Sequence, residues 1–66
     1  MEKLREINSR AVMEAVNRPP FGPGFSEEDL ASADTMEIWS IEEARGVEYR
    51  LLRLGVVVAV HRVSAL

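Results

Sequence analysis

The sequence predicts an α+β fold with an N-terminal amphipathic helix, a loop rich in proline and glycine, a short second helix and a three-stranded antiparallel β-meander. Three observations support this class. Apolar residues recur at helical spacing near the N-terminus, all three prolines fall between positions 19 and 23, and the second half is rich in β-branched residues. We expect 1–66 to form a single small domain, because 66 residues are too few for two hydrophobic cores.

The first helix is predicted over residues 2 to 17. Apolar side chains separated by three, four and four positions define one stripe of this helix. They are Leu4, Ile7, Ala11 and Ala15. The helix must end by Arg18, because the two prolines that follow remove backbone donors and disfavour helical geometry in the residues before them.

A loop from Arg18 to Phe25 follows, with both phenylalanines of the chain. Two interpretations fit it. In the first, Phe21 and Phe25 dock on the core; in the second, the loop is an exposed proline-rich ligand for an aromatic groove of another protein. We favour docking, because large aromatic side chains are mostly buried.

A short second helix is predicted over residues 26 to 33. Ser26 is a suitable N-cap, and three acidic residues follow it where the helix dipole favours negative charge. This capping accounts for the acidic cluster.

Residues 35 to 63 fit two local structures, of which the first is a meander of three antiparallel strands. Its strands are 35–42, 47–53 and 56–63, joined by turns at 43–46 and 54–55. The alternative is a helix over residues 40–54, capped by Ser40 and placed between two strands. We favour the meander, because residues 47–51 alternate with period two and because Gly46 and Gly55 fall where hairpin turns need them.

The meander predicts two apolar faces. With Leu51 opposite Val58 and Glu48 opposite His61, the face expected under the first helix holds Met36, Ile38, Val47, Tyr49, Leu51, Val56, Val58 and Val60. The second face of the sheet is also apolar, and so short a chain has few residues left to cover it. We therefore expect that face, or an exposed edge strand, to contact another copy or a partner. The candidate interface residues are Trp39, Ile41, Arg50, Leu52, Val57, Ala59, His61 and Val63.

Two of these residues have chemistry of their own. Trp39 near Arg50 indicates a stacked pair, either in the core or at an interface. His61 is the only histidine, and no second histidine, cysteine or serine motif completes a catalytic set. A divalent metal held by His61, Glu48 and Glu37 lacks a recognisable spacing. We therefore expect no catalysis, no metal and no cofactor.

Charge and composition narrow the function classes. The net charge is −3 and the pI is about 5.0, whereas nucleic-acid-binding domains are usually basic. There is no cysteine for a disulfide, no secretory signal pattern, and no apolar run long enough to cross a membrane, so we expect a cytoplasmic protein without membrane contact.

The sequence therefore predicts a small non-catalytic protein–protein interaction module or inhibitor that homo-oligomerises through its β-sheet as a dimer or higher oligomer. A partner of a different protein species fits the same face. The alternative is a small nucleic-acid-binding regulator that uses the arginine and aromatic side chains of the sheet.

The segment Glu48-Tyr49-Arg50-Leu51-Leu52, followed by a valine-rich strand that ends in His61-Arg62, resembles the last two strands of ribosome-dependent RelE-type toxins. The resemblance covers under a third of the chain. It implies a pair of antiparallel strands. The helical hairpin that precedes these strands in that family is not evident in the sequence, and the low basic content departs from an RNA-cleaving surface, so no residue role is carried over.

Overall fold

The computed structural model describes residues 1–42 and 45–64 and confirms the α+β class. Its elements are β1 (Glu2–Ile7), α1 (Arg10–Asn17), α2 (Glu27–Ser32), β2 (Thr35–Ile41), β3 (Gly46–Arg53) and β4 (Val56–Ser64). The four strands form one sheet in the order β1-β2-β3-β4, with each neighbouring pair antiparallel. In the part of the chain that the structure describes, no helix has the length and apolar character needed to cross a bilayer.

The core lies between the two helices and one face of the sheet, which we call the helix-side face. Its buried residues come from every element except β4. They are Ile7, Met13, Leu30, Ala33, Met36, Tyr49 and Leu51. Neither α1 nor α2 covers the other side of the sheet, which we call the open face.

The predicted N-terminal helix over residues 2 to 17 is wrong in its first half. Glu2–Ile7 forms an edge strand on β2, and the helix begins only after Ser9, whose hydroxyl accepts a hydrogen bond from the Val12 N–H at 3.4 Å. The helical spacing of Leu4 and Ile7 is therefore coincidental, and a bulge between Lys3 and Arg5 leaves Leu4 56% exposed. Five of these six residues are good helix formers, but helix propensities differ by less than about 1 kcal/mol per residue, and pairing with β2 outweighs them.

The short second helix is confirmed, since α2 lies within the predicted range and Ser26 is its N-cap. The Ser26 hydroxyl accepts a hydrogen bond from the Asp29 N–H at 3.1 Å. Glu27, Glu28 and Asp29 occupy the first turn, where the partial positive charge of the helix end stabilises carboxylates.

Replacing this cap is expected to have a modest effect. Ser26→Ala removes the acceptor for the Asp29 N–H and should lower the free energy of unfolding by about 1 kcal/mol. In a domain of this size, that corresponds to a melting temperature lower by about 4–8 °C, measured by circular dichroism. Ser26→Thr keeps an acceptor and should melt close to the native protein. Equal melting of the native and alanine proteins would show that the cap is not stabilising.

The β-meander is also confirmed, and the alternative helix over residues 40–54 is wrong. The sheet has four strands rather than three, because β1 joins its edge. The predicted turn at 54–55 is present, with Leu54 at φ 50° and Gly55 at φ 80°, the left-handed backbone that a two-residue hairpin turn requires. The predicted turn at 43–46 includes positions 43 and 44, which lie outside the described residues.

A β-bulge changes the predicted register of the last hairpin. Leu52 pairs with Val57 but Leu51 pairs with Ala59, so Val58 is the extra residue. The insertion moves the rest of β4 by one position, which exchanges the faces of its side chains. Val56, Val58 and Val60, which the sequence placed under the helix, are 65%, 45% and 51% exposed. Ala59 and Val63 pack against the core in their place.

Candidate interaction surface

The structure divides the predicted interface residues between the two faces of the sheet. The strand register places Trp39, Ile41, Arg50, Leu52 and Val57 on the open face, as predicted. The remaining three, Ala59, His61 and Val63, lie on the helix-side face, because the bulge reverses their orientation. The predicted set is therefore not a single surface.

The centre of the open face is a buried carboxylate held by two arginines. Glu48 is only 3% exposed. One oxygen accepts a hydrogen bond from Arg50 Nε, and the other accepts one from Arg62 Nε at 2.8 Å. The hydrogen bond from Arg50 lowers the pKa of Glu48 below its ordinary value, with Arg62 acting in the same direction, although burial raises it. The cluster is thus a charged group whose hydrogen bonding offsets the cost of its burial.

Trp39 extends this cluster toward β1, and its predicted contact with Arg50 is present. The guanidinium carbon of Arg50 lies 4.5 Å from the centre of the indole ring. Trp39 Nε1 donates a hydrogen bond to Glu37 at 2.9 Å, and Lys3 Nζ lies 3.5 Å from the other Glu37 oxygen. The half-buried indole is therefore fixed on the open face and is not part of the helix-side core.

His61 does not lie where the sequence placed it. Its cross-strand neighbour is Tyr49, and Arg62 is the residue opposite Glu48. The imidazole makes an edge contact with Phe25, with ring centres 6.1 Å apart. His61 is thus separated by the sheet from Glu48 and Glu37, and the three cannot share a metal ion. Across residues 1–42 and 45–64, no group of three or more histidine or carboxylate side chains is arranged to hold one.

The edge strand β4 is a more apolar surface than the open face. It is the last strand of the sheet, so within the described residues only β3 pairs with it. Val56, Val57, Val58 and Val60 are each between 45% and 65% exposed. The run of valines in the sequence indicated this surface, but the exposure of valine side chains on both faces of β4 depends on the bulge in this strand.

The two phenylalanines of the loop have different environments. Phe25 packs against the core, where its backbone N–H donates to Asn17 Oδ1 at 2.7 Å and its carbonyl accepts from Asn17 Nδ2 at 3.0 Å. Phe21 is 91% exposed. Docking is therefore confirmed for Phe25 and wrong for Phe21.

Comparison with known proteins finds no matching family model, no significantly similar curated protein and no significantly similar solved structure. Functional conclusions for this chain therefore depend on the geometry of its own surfaces, of which the β4 edge, the open face and the loop that presents Phe21 are the candidates.

Proposed function

We propose that this chain is a non-catalytic protein–protein interaction module that self-associates through its edge strand. In this assembly β4 pairs antiparallel with β4 of a second copy, and the two sheets become one sheet of eight strands. The observation that carries the proposal is the exposure of Val56, Val57, Val58 and Val60 along a nine-residue edge strand. Such an edge presents backbone donors and acceptors together with apolar side chains, which is a template for strand addition.

The two edges of the sheet differ in the features that prevent strand addition. Proteins protect exposed edges with charged residues, proline or short strands. Both edge strands contain a bulge, but four of the six residues of β1 are charged. By contrast, β4 contains neither lysine nor proline, and the guanidinium of its one arginine, Arg62, is hydrogen bonded to Glu48. Self-association is therefore favoured at β4 over β1.

A second copy fits this edge because an antiparallel pair of identical strands has two-fold symmetry and closes on itself. Pairing about Val60, the central residue of β4, uses the whole strand. In this register, Val60 lies opposite Val60 of the second copy, and Val58 lies opposite Arg62 of the second copy. The association would also stabilise a chain of 66 residues, for which a single core gives a small stability margin.

The open face supports a protein contact over a nucleic-acid contact. Among the described residues, its ionic side chains are three bases and three acids, which balance in charge: Lys3, Arg50, Arg62, Glu6, Glu37 and Glu48. Phosphate would have to compete with Glu48 for both arginines, and one face of the Trp39 ring is already covered by Arg50. Nucleic-acid binding needs uncompensated positive charge and free aromatic faces.

The test compares one lysine substitution on each edge of the sheet. The native chain is expected to have a solution mass near 15 kDa by light scattering, about twice its 7.4 kDa. Val60→Lys places two ammonium groups against each other at the symmetry axis and should give a folded 7.4 kDa monomer. Leu4→Lys adds the same charge to an exposed position of β1 and should remain dimeric.

Two results would contradict the proposal. One is a native chain that stays at 7.4 kDa at every concentration, and the other is dissociation caused by Leu4→Lys but not by Val60→Lys. If Val60→Lys dissociates and unfolds, the native protein alone still tests whether the chain forms a dimer. The melting temperature of a dimer rises with protein concentration, whereas that of a monomer does not.

A further inference from the structure

His61 is an exposed side chain of β4 that the interactions of the sheet leave available. It lies on the helix-side face of this edge strand. Its imidazole has an edge contact with the Phe25 ring, but neither ring nitrogen is hydrogen bonded within residues 1–42 and 45–64. Neutral imidazole is the commonest ligand for transition metals in proteins. A single histidine is too little for a metal site, so the question is whether a second one lies near it.

The strand pairing proposed above brings a second histidine to the same place. When two β4 strands pair antiparallel about Val60, His61 lies opposite Ala59 of the second copy and diagonal to His61 of that copy. The two-fold axis of such a pair is perpendicular to the sheet, so both histidines lie on the helix-side face. Diagonal neighbours on paired strands are about 7–8 Å apart, a distance that ring side chains can span. Each histidine faces only the methyl group of Ala59, which leaves room for the two rings to turn toward each other.

We infer that the two His61 imidazoles bind one divalent transition-metal ion, such as Zn²⁺, across the two-fold axis of the dimer. The inference rests on the proposed self-association, because one chain supplies only half of the protein ligands. Zinc bonds imidazole nitrogen at about 2.0–2.1 Å, and water completes its four ligands at an exposed site. The ion therefore links the two copies directly.

The ligand set determines which metals fit. The carboxylates of the neighbouring strands, Glu48 and Glu37, lie on the open face and cannot reach the helix-side face. The protein ligands at the axis are therefore imidazole nitrogens alone. Imidazole suits zinc, copper and nickel, whereas magnesium and calcium prefer oxygen ligands.

A metal that binds the dimer and not the monomer strengthens the dimer by mass action. At a free zinc concentration ten times the dissociation constant of the site, the dissociation constant of the dimer should fall about tenfold. This change is measured by light scattering on a dilution series of the native chain, first in EDTA and then in zinc. Titration calorimetry should give one zinc ion for two chains, and magnesium at the same concentration should have no effect.

Two variants separate the metal site from the strand pairing. His61→Ala removes both imidazoles but leaves the backbone of β4 unchanged, so it should dimerise like the native chain in EDTA and show no response to zinc. Val60→Lys keeps His61 but separates the two copies. Because it offers one imidazole in place of two, it should bind zinc about tenfold or more weakly than the native chain.

The metal site and the self-association fail in different ways. A chain that is dimeric in EDTA and unchanged by zinc overturns only the metal site. The metal site is also overturned by a zinc response that His61→Ala retains, or by zinc binding to Val60→Lys that is as tight as to the native chain. A native chain that is monomeric in both EDTA and zinc overturns both proposals.

Discussion

Leu51→Ala is expected to lower the free energy of unfolding by about 3 kcal/mol, the largest effect of the single substitutions considered for this chain. Leu51 is 0% exposed, lies in the middle strand pair of the sheet and belongs to the core beneath both helices. Removing three carbon atoms leaves a cavity whose walls, the sheet and two short helices, cannot close around it without breaking other contacts.

The small size of the domain makes this loss decisive. A core of this size supplies a net stability of only about 3–5 kcal/mol, so the variant should keep no more than about 2 kcal/mol as an isolated chain. Urea denaturation followed by circular dichroism measures the change. Leu54→Ala is the matched control, because it makes the same chemical change at a site that is 85% exposed, and it should shift the midpoint little. Similar midpoints for the two variants would contradict the core described above.

The parts of the fold that the sequence predicted are those with local causes. Ser26 caps α2 through its own hydroxyl, and Leu54-Gly55 forms a turn whose backbone angles depend on those two residues. The strand β1 has no such local cause. Leu4 and Ile7 have a spacing that suits a helix, and only the pairing of residues 2 to 7 with β2, some 30 positions later, favours the strand.

The candidate interaction surface could also be predicted from the sequence only in part. Trp39 and Arg50 lie on neighbouring strands whose register is regular, and their predicted contact is present. The interpretation of His61 failed because a one-residue bulge at Val58 lies between the turn and that residue. A bulge is decided by packing on both faces of a hairpin, which the alternation of one strand does not reveal. The exposure of Phe21 was missed for a related reason, since the hydrogen bonds that hold its loop come from α1.

Glu48→Gln is expected to cost about 2 kcal/mol of unfolding free energy at pH 7, the second large effect. Glutamine keeps the shape of the side chain and one acceptor oxygen but removes the charge between Arg50 and Arg62. The two guanidinium groups then face a buried neutral amide and repel each other. The cost is smaller than for a fully buried ion pair, because the Arg62 side chain is 65% exposed and water screens part of its charge.

A matched control exists on the same face. Glu6 is an exposed carboxylate that pairs with Lys3 at 2.8 Å, and both side chains are more than 40% exposed. Glu6→Gln should therefore change the free energy of unfolding by less than about 0.5 kcal/mol. A comparable loss for the two variants would show that burial and the second arginine add nothing to the interactions of Glu48.

The pH dependence of the Glu48→Gln effect follows from the direction of the pKa shift. The pKa of Glu48 is lower in the folded protein than its ordinary value of 4.5, so the stabilisation by its charge is complete above that value and is lost as the pH falls through the folded pKa. A protonated glutamate has nearly the shape and hydrogen-bonding capacity of glutamine. The stability difference between the native protein and Glu48→Gln, measured by urea denaturation from pH 7 to pH 3, should therefore narrow below about pH 4.5.

The stability of the native protein also depends on pH through a second carboxylate, because the hydrogen bond from the Leu54 N–H lowers the pKa of Asp34. A difference that stays constant over this range would mean that the two arginines stabilise the shape of the Glu48 side chain and not its charge.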